Sequence, residues 1–233
     1  MKQKFAMVTG ANKGIGFEIC RQLAGKGFQV FLAARDLKRG TEAAEKLKAS
    51  GLAVKVLQLD VSDLKSIEKA AAELASNVDH LDVLVNNAGI YEDEDASALN
   101  ISPEIVEQTF RTNTLGPLLM TQRLWPLLAK SGSGRIINVS SGLGSLSEME
   151  TTAPAYSISK AALNAVTRQC AAALKDKNIA VNSISPGWVR TEMGGAGAPL
   201  TPAEGADTVI WLATEAPLSL TGQFLRERKP IPW

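Results

Sequence analysis

Short apolar runs alternate along the chain with longer segments whose apolar residues recur at helical spacing. The runs are residues 5–9, 29–33, 54–59, 81–85, 135–139 and 180–184. They are apolar almost throughout rather than alternating, as strands covered on both faces should be. The segments between them predict helices over residues 14–25, 39–50, 63–76, 103–129, 155–176 and 202–214. Asp63 is placed to cap the third helix, Ser102 with Pro103 opens the fourth, and Thr201 with Pro202 and Glu204 opens the last. Strand and helix in regular alternation predict an α/β fold, a doubly wound parallel sheet with helices on both faces. No linker or repeat divides the 233 residues, so a single domain is expected over 1–233.

Composition narrows the partners. Charged residues are 21% of the chain and the formal charge is +1, which gives no basic surplus to draw nucleic acid or acidic lipid. A small-molecule partner is expected instead. No apolar run is long enough to span a bilayer, and the first strand begins by Phe5, too early for a signal peptide's own apolar segment. A soluble, cytoplasmic protein is the expectation. Cys20 and Cys170, far apart in helical segments, read as reduced core thiols, and His80, the single histidine, as a plain turn residue. One histidine and two distant cysteines supply no metal cage. The acidic run 92–95 reads as a solvated loop.

The first strand ends in Thr9-Gly10-Ala11-Asn12-Lys13-Gly14-Ile15-Gly16, and a helix follows at once. Pyrophosphate binding needs backbone N–H groups close to the anion and a helix N-terminus facing it, and a Cβ at Gly10, Gly14 or Gly16 would obstruct that approach. The turn therefore predicts a dinucleotide site. An acid that holds the ribose 2′-hydroxyl usually stands at the end of the second strand, where this chain has Ala34 followed by Arg35 and Asp36. The guanidinium of Arg35 suits a 2′-phosphate, and Lys13 adds a second cation, so NADP(H) is expected rather than NAD.

Tyr156 and Lys160 stand four residues apart, on one face of the fifth helix. The fifth strand runs into Ser140-Ser141-Gly142 at the carboxyl edge, where open α/β sheets place ligands, and Asn113 lies in the preceding helix. Strand alternation sends Ser140 and Ser141 to opposite sides.

With these residues the chain resembles the short-chain dehydrogenases/reductases, a family of Rossmann-type fold. Matching motifs span nearly its whole length: the glycine turn, Asp60, Asn86-Asn87-Ala88-Gly89, Asn113, Ser141, Tyr156 with Lys160, and Pro186-Gly187 followed by Thr191. Within the family it is most similar to NADPH-dependent carbonyl reductases and the plant menthone and salutaridine reductases. Those reductases carry a long insertion between serine and tyrosine, whereas only 14 residues separate Ser141 from Tyr156 here.

The resemblance implies reversible hydride transfer between a nicotinamide and a carbonyl carbon, with Tyr156 as general acid and Ser141 polarising the carbonyl oxygen. It implies that Lys160 lowers the phenol's pKa and holds the nicotinamide ribose, and that Asn113 anchors a proton-relaying water. Asp60 and Val61 would contact the adenine. Asn87, Ala88 and Gly89 would shape the cofactor cleft, and Pro186, Gly187, Val189 and Thr191 would pass along the nicotinamide. The Gly- and Pro-rich segment 190–203 is read as a mobile substrate lid. Residues 143–153 and Tyr91 would wall the substrate pocket, and Trp188 and Met193 are either substrate contacts or core residues. The apolar stripes of the fourth and fifth helices predict a homodimer or homotetramer. An NAD-linked alcohol dehydrogenase and a non-catalytic NADP(H) sensor stand as the alternative readings.

Overall fold

The computed structural model describes residues 2–233. Its sheet has the strand order β3-β2-β1-β4-β5-β6-β7-β8. The strands are β1 (Lys4–Thr9), β2 (Phe28–Ala34), β3 (Val54–Gln58), β4 (Val83–Asn86), β5 (Gly134–Val139), β6 (Ile179–Ile184), β7 (Phe224–Arg226) and β8 (Lys229–Pro230). All neighbours pair in parallel except β7 with β8, which form an antiparallel hairpin. The Rossmann-type doubly wound architecture read from the sequence is the one observed. β7 and β8 are additions to it, too short to stand out as apolar runs.

The helices are α1 (Gly14–Gly25), α2 (Leu37–Ala49), α3 (Leu64–Asn77), α4 (Pro103–Phe110), α5 (Gly116–Ser131), α6 (Pro154–Ala173) and α7 (Pro202–Thr214). Alternate strand residues feed two cores. Ala6 and Val8 of β1 join Ile19, Ala43 and Val209 from α1, α2 and α7 on one face. Met7, between them, joins Ile67, Met120 and Cys170 from α3, α5 and α6 on the other. Cys20 and Cys170 are buried on opposite faces of the sheet. No helix among the described residues is long and apolar enough to cross a membrane.

Asp63, Ser102 and Thr201 cap α3, α4 and α7 as expected, and Thr201 forms a full capping box with Glu204. Asp36 caps α2 by accepting from Arg39 N at 3.1 Å, which starts that helix two residues earlier than its apolar spacing suggests. The segment expected as one helix over 103–129 is instead interrupted: α4 and α5 are joined by a single π turn, Arg111–Leu115. The wider turn carries Asn113 and leads into Gly116, where a Cβ would come within 2.7 Å of the Val61 carbonyl. His80, read as a plain turn residue, is buried between the carboxylates of Asp79 and Asp82 and packs edge-on against Phe5.

Candidate active site

β1 pairs with β2 on one side and β4 on the other, so the strand order reverses between β1 and β4 and a crevice opens at their carboxyl ends. The glycine turn lies there. Gly10 has φ +61°, and a Cβ on it would sit 2.8 Å from the Ala88 Cα. A Cβ on Gly16 would fall 2.5 Å from the Asn87 amide nitrogen and 2.7 Å from the Gly10 carbonyl. The turn therefore closes against the loop after β4 only because neither residue has a side chain. Asn87 braces it, donating its side-chain amide to the carbonyls of Thr9 and Gly10 at 2.9 and 3.1 Å. The Thr9 hydroxyl accepts from Asn87 N and Ala88 N, both at 3.0 Å. Lys13 precedes α1 without a side-chain cap, so the first turn of that helix presents open N–H groups beside Asn12 and the turn. Ile15 packs inward against the core. This cradle fits a pyrophosphate.

Farther along the edge, Arg35 and Asp60 share a cleft of about 430 Å³ with Gln58, Lys65, Ser66 and Lys69. Lys65 and Lys69 project from α3 and went unnoticed in the sequence because nothing local marks their helix face as part of a cleft. One Asp60 oxygen is taken by the Ser62 amide and hydroxyl, and Val61 is buried beside it. Asp36 serves as the α2 cap. Lys13 does not stand free: its Nζ pairs with Glu192 at 2.6 Å.

At the other end of the crevice, Tyr156 and Lys160 lie on one face of α6, with the Lys160 Nζ 5.5 Å from the centre of the phenol ring. Lys160 is buried and donates to the Val139 carbonyl at 2.8 Å. Ser140 turns to the backbone of α6, donating to the Lys160 carbonyl at 3.3 Å. Ser141 faces Tyr156, its hydroxyl accepting from Leu143 N at 3.2 Å, so the two serines separate as strand alternation requires. A Cβ on Gly144, just beyond, would lie 2.7 Å from Lys160 backbone, which keeps the loop pressed onto α6.

Burial pushes the Tyr156 phenol up to about 12, against a lowering by Ser141, with Tyr91 and Asp93 raising it further. Burial also brings the Lys160 amine down to about 8. In the chain by itself, burial is the leading cause of both shifts, raising the phenol and lowering the amine.

Asn113 is fully buried in the π turn. Its Oδ1 accepts from Ile90 N, and its Nδ2 donates to the Ile90 carbonyl and the Ser159 hydroxyl, all at 2.9 to 3.0 Å. Gly89 lies between Asn113 and Lys160, close to both. Pro186 and Gly187 follow β6, and Val189 is buried and bridges to Leu200. Thr191 packs its methyl against Gly14. Arg190 donates to the Ala198 and Pro199 carbonyls, closing the 190–203 segment on itself. Trp188 and Met193 are 60% and 50% exposed, which removes the core-packing alternative for both.

The acidic run 92–95 is not uniformly solvated. Asp93 is buried, and its Oδ2 accepts from the backbone N–H groups of Ala155 and Tyr156 at 2.6 and 3.2 Å. Tyr91 packs edge-on against Tyr156, 4.8 Å between ring centres. Reading the sequence missed Asp93 because its partners lie some sixty residues away and its neighbours Glu92, Glu94 and Asp95 are exposed.

The sequence profile of the short chain dehydrogenases matches residues 4–198. Carbonyl reductase [NADPH] 1 of Sus scrofa is 34% identical, the match covering 99% of this chain and 94% of that protein. It runs over 283 positions against the 233 residues present here, so at least 50 positions of the relative have no counterpart in this chain. The (-)-isopiperitenone reductase of Mentha piperita is also 34% identical, over 91% of this chain and 92% of its own. Among solved structures, the NADPH-bound carbonyl reductase from chicken fatty liver superposes with a TM-score of 0.91 at 31% identity, and covers 100% of both chains. The carbonyl reductase Sniffer of D. melanogaster gives the same TM-score at 27% identity, also with 100% of both chains covered.

Proposed function

The chain belongs to the short-chain dehydrogenase family, and from that premise we propose that it binds NADP(H) and reduces the carbonyl of a small ketone or aldehyde to an alcohol. It is an oxidoreductase. The observation that carries the reading is the meeting of Tyr156, Lys160 and Ser141 at the carboxyl edge, along the crevice from a turn that only glycine can form.

Open N–H groups of the turn and of α1, about Gly10, Asn12, Gly14, Ile15 and Gly16, would hold the pyrophosphate. Arg35 and Lys13 would take the 2′-phosphate, and Asp60 and Val61 the adenine. Asn87, Ala88 and Gly89 would wall the middle of the cleft, and Pro186, Gly187, Val189 and Thr191 the nicotinamide end. When bound, the nicotinamide supplies the reducing equivalent for the carbonyl carbon.

The Ser141 hydroxyl donates to the carbonyl oxygen and holds it near Tyr156. The phenol gives that oxygen its proton as negative charge builds there. An amine near 8 both holds and releases a proton close to neutrality, so Lys160 is suited to reprotonate the phenol. Asn113, fixed to Ile90, would steady the relay that returns protons to Lys160.

Tyr156→Phe tests the assignment. NADPH consumption over a panel of ketones and aldehydes should fall by about 100-fold or more. NADPH affinity, followed by fluorescence, should stay within about twofold, since the ring remains. A variant that reduces carbonyls at the original rate would overturn the reading.

A further inference from the structure

We propose that Asp93 is a positioning residue for Tyr156, capping α6 from the loop after β4 and thereby fixing where the phenol is presented. The proposal rests on the reading of Tyr156 as the general acid.

It begins in the sequence of the α6 N-terminus. Ala153 stands at the N-cap with no side-chain acceptor and a left-handed φ of +49°, and Pro154 has no N–H. The Ser157 amide already donates to the Ala153 carbonyl at 2.9 Å. That leaves the amides of Ala155 and Tyr156 without a partner inside the helix, and both donate to one oxygen of Asp93. Helices α2, α3, α4 and α7 each carry their own capping side chain. Of the helices that begin from a loop, α1 and α6 do not, and these two face the crevice. α1 leaves its N-terminus open for an anion; α6 is closed by an anion the chain supplies itself.

Asp93 is 3% exposed, and its second oxygen is buried without any partner. A carboxylate held so poorly on one side is a costly cap. What a distant cap adds is a link: it ties the loop bearing Tyr91 to the turn bearing Tyr156, whose rings already touch. The groups facing the phenol are Lys160 from its own helix, Ser141 from the loop after β5, and Tyr91 and Asp93 from the loop after β4. Asp93 thus sets both the place of the phenol and part of the field around it.

The experiment compares Asp93→Ala with Asp93→Asn in the full chain. Asp93→Ala should lower kcat about 10- to 100-fold through misplacement of the phenol, with NADPH affinity within about twofold. Amide hydrogen exchange at Ala155 and Tyr156 in the free chain should speed up at least about tenfold. Asp93→Asn keeps an acceptor oxygen, so exchange protection should persist and kcat recover to within about threefold. Its alkaline limb of kcat should move to lower pH, because a negative charge beside the phenol is gone. Unchanged exchange and kcat in Asp93→Ala would overturn the proposal, as would an Asp93→Asn protein that keeps its protection yet is as slow as the alanine variant, or whose alkaline limb stays in place. Should the alanine variant fail to fold, the asparagine variant carries the test. Failure of the general-acid reading is distinguishable: Tyr156→Phe would then stay active, while the exchange experiment still reports the cap.

Discussion

The Nζ of Lys13 lies 2.6 Å from a carboxylate oxygen of Glu192, which joins the glycine-rich turn to the 190–203 segment. Lys13 holds the Glu192 carboxyl below the usual range, and Arg39 adds to the effect. Glu192 thus competes for a cation that the 2′-phosphate would use. Glu192→Gln is expected to tighten NADPH binding about two- to fivefold, the scale of an exposed ion pair, with a smaller effect on NADH. Titration of both cofactors by fluorescence checks it; weaker NADPH binding would show that Glu192 supports the site.

Arg35 lines the cleft beside Asp60 without a carboxylate partner among the described residues. Its removal should be felt by the phosphorylated cofactor alone. Arg35→Ala is expected to weaken NADPH binding about 10- to 100-fold, the worth of a charge-assisted hydrogen bond, and to leave NADH within about twofold. Equal losses for both cofactors would refute the assignment of the 2′-phosphate to this cleft.

Lys160 gives the chain a pH-dependent stability. Its amine is near 8 in the fold and near 10.5 when solvated, so between those values the unfolded chain holds a proton that the native chain lacks. Stability from this group therefore rises with pH across that window, by up to about 3 kcal/mol, and the full penalty is present below pH 8. Cys20 and Cys170, pushed up by burial, act in the opposite sense at the upper end. A comparison with Lys160→Met cancels them. Urea unfolding at about pH 7.5 and about pH 9.5 should show the wild-type chain gaining on the variant as pH rises; parallel behaviour would contradict the lowered amine.

Gly16 has no room for a methyl group, since a Cβ would press on the Asn87 amide and the Gly10 carbonyl. Gly16→Ala is expected to cost about 1–3 kcal/mol of stability and to break the brace between the turn and the loop after β4. Thermal unfolding reads the first effect and loss of NADPH binding the second. A variant with unchanged Tm and affinity would mean the turn is looser than its contacts indicate.

The central sheet was legible because β1, β2 and β4 through β6 are buried on both faces and so are apolar almost throughout, while the edge strand β3 still buries Val54 and Leu57. The caps at Asp63, Ser102 and Thr201 were legible because each bonds within three residues of itself. Helical spacing put Tyr156 and Lys160 on one face, and the strand ending in Ser140-Ser141-Gly142, with the motifs that carry the resemblance, gave that pair its weight. The features that escaped are held by distant partners. Asp93 looks like its solvated neighbours until α6 arrives above it, and Lys13 looks free until Glu192 folds back across 179 positions. The π turn at Asn113 leaves the apolar periodicity of 103–129 almost undisturbed, so one helix was expected where the backbone widens once. The 7-residue stretch from β7 to β8 turns through Glu227 and Arg228, both at positive φ and neither a glycine, which removes the usual hairpin signal.

That same hairpin has a bearing on aggregation. A parallel sheet that ended on a long β7 would offer a row of unpaired amides on which a strand from another molecule could nucleate a fibre. β8 covers that border with two residues, Lys229 and Pro230, one charged and the other without an amide hydrogen. Cross-molecular strand addition finds almost no template at this border.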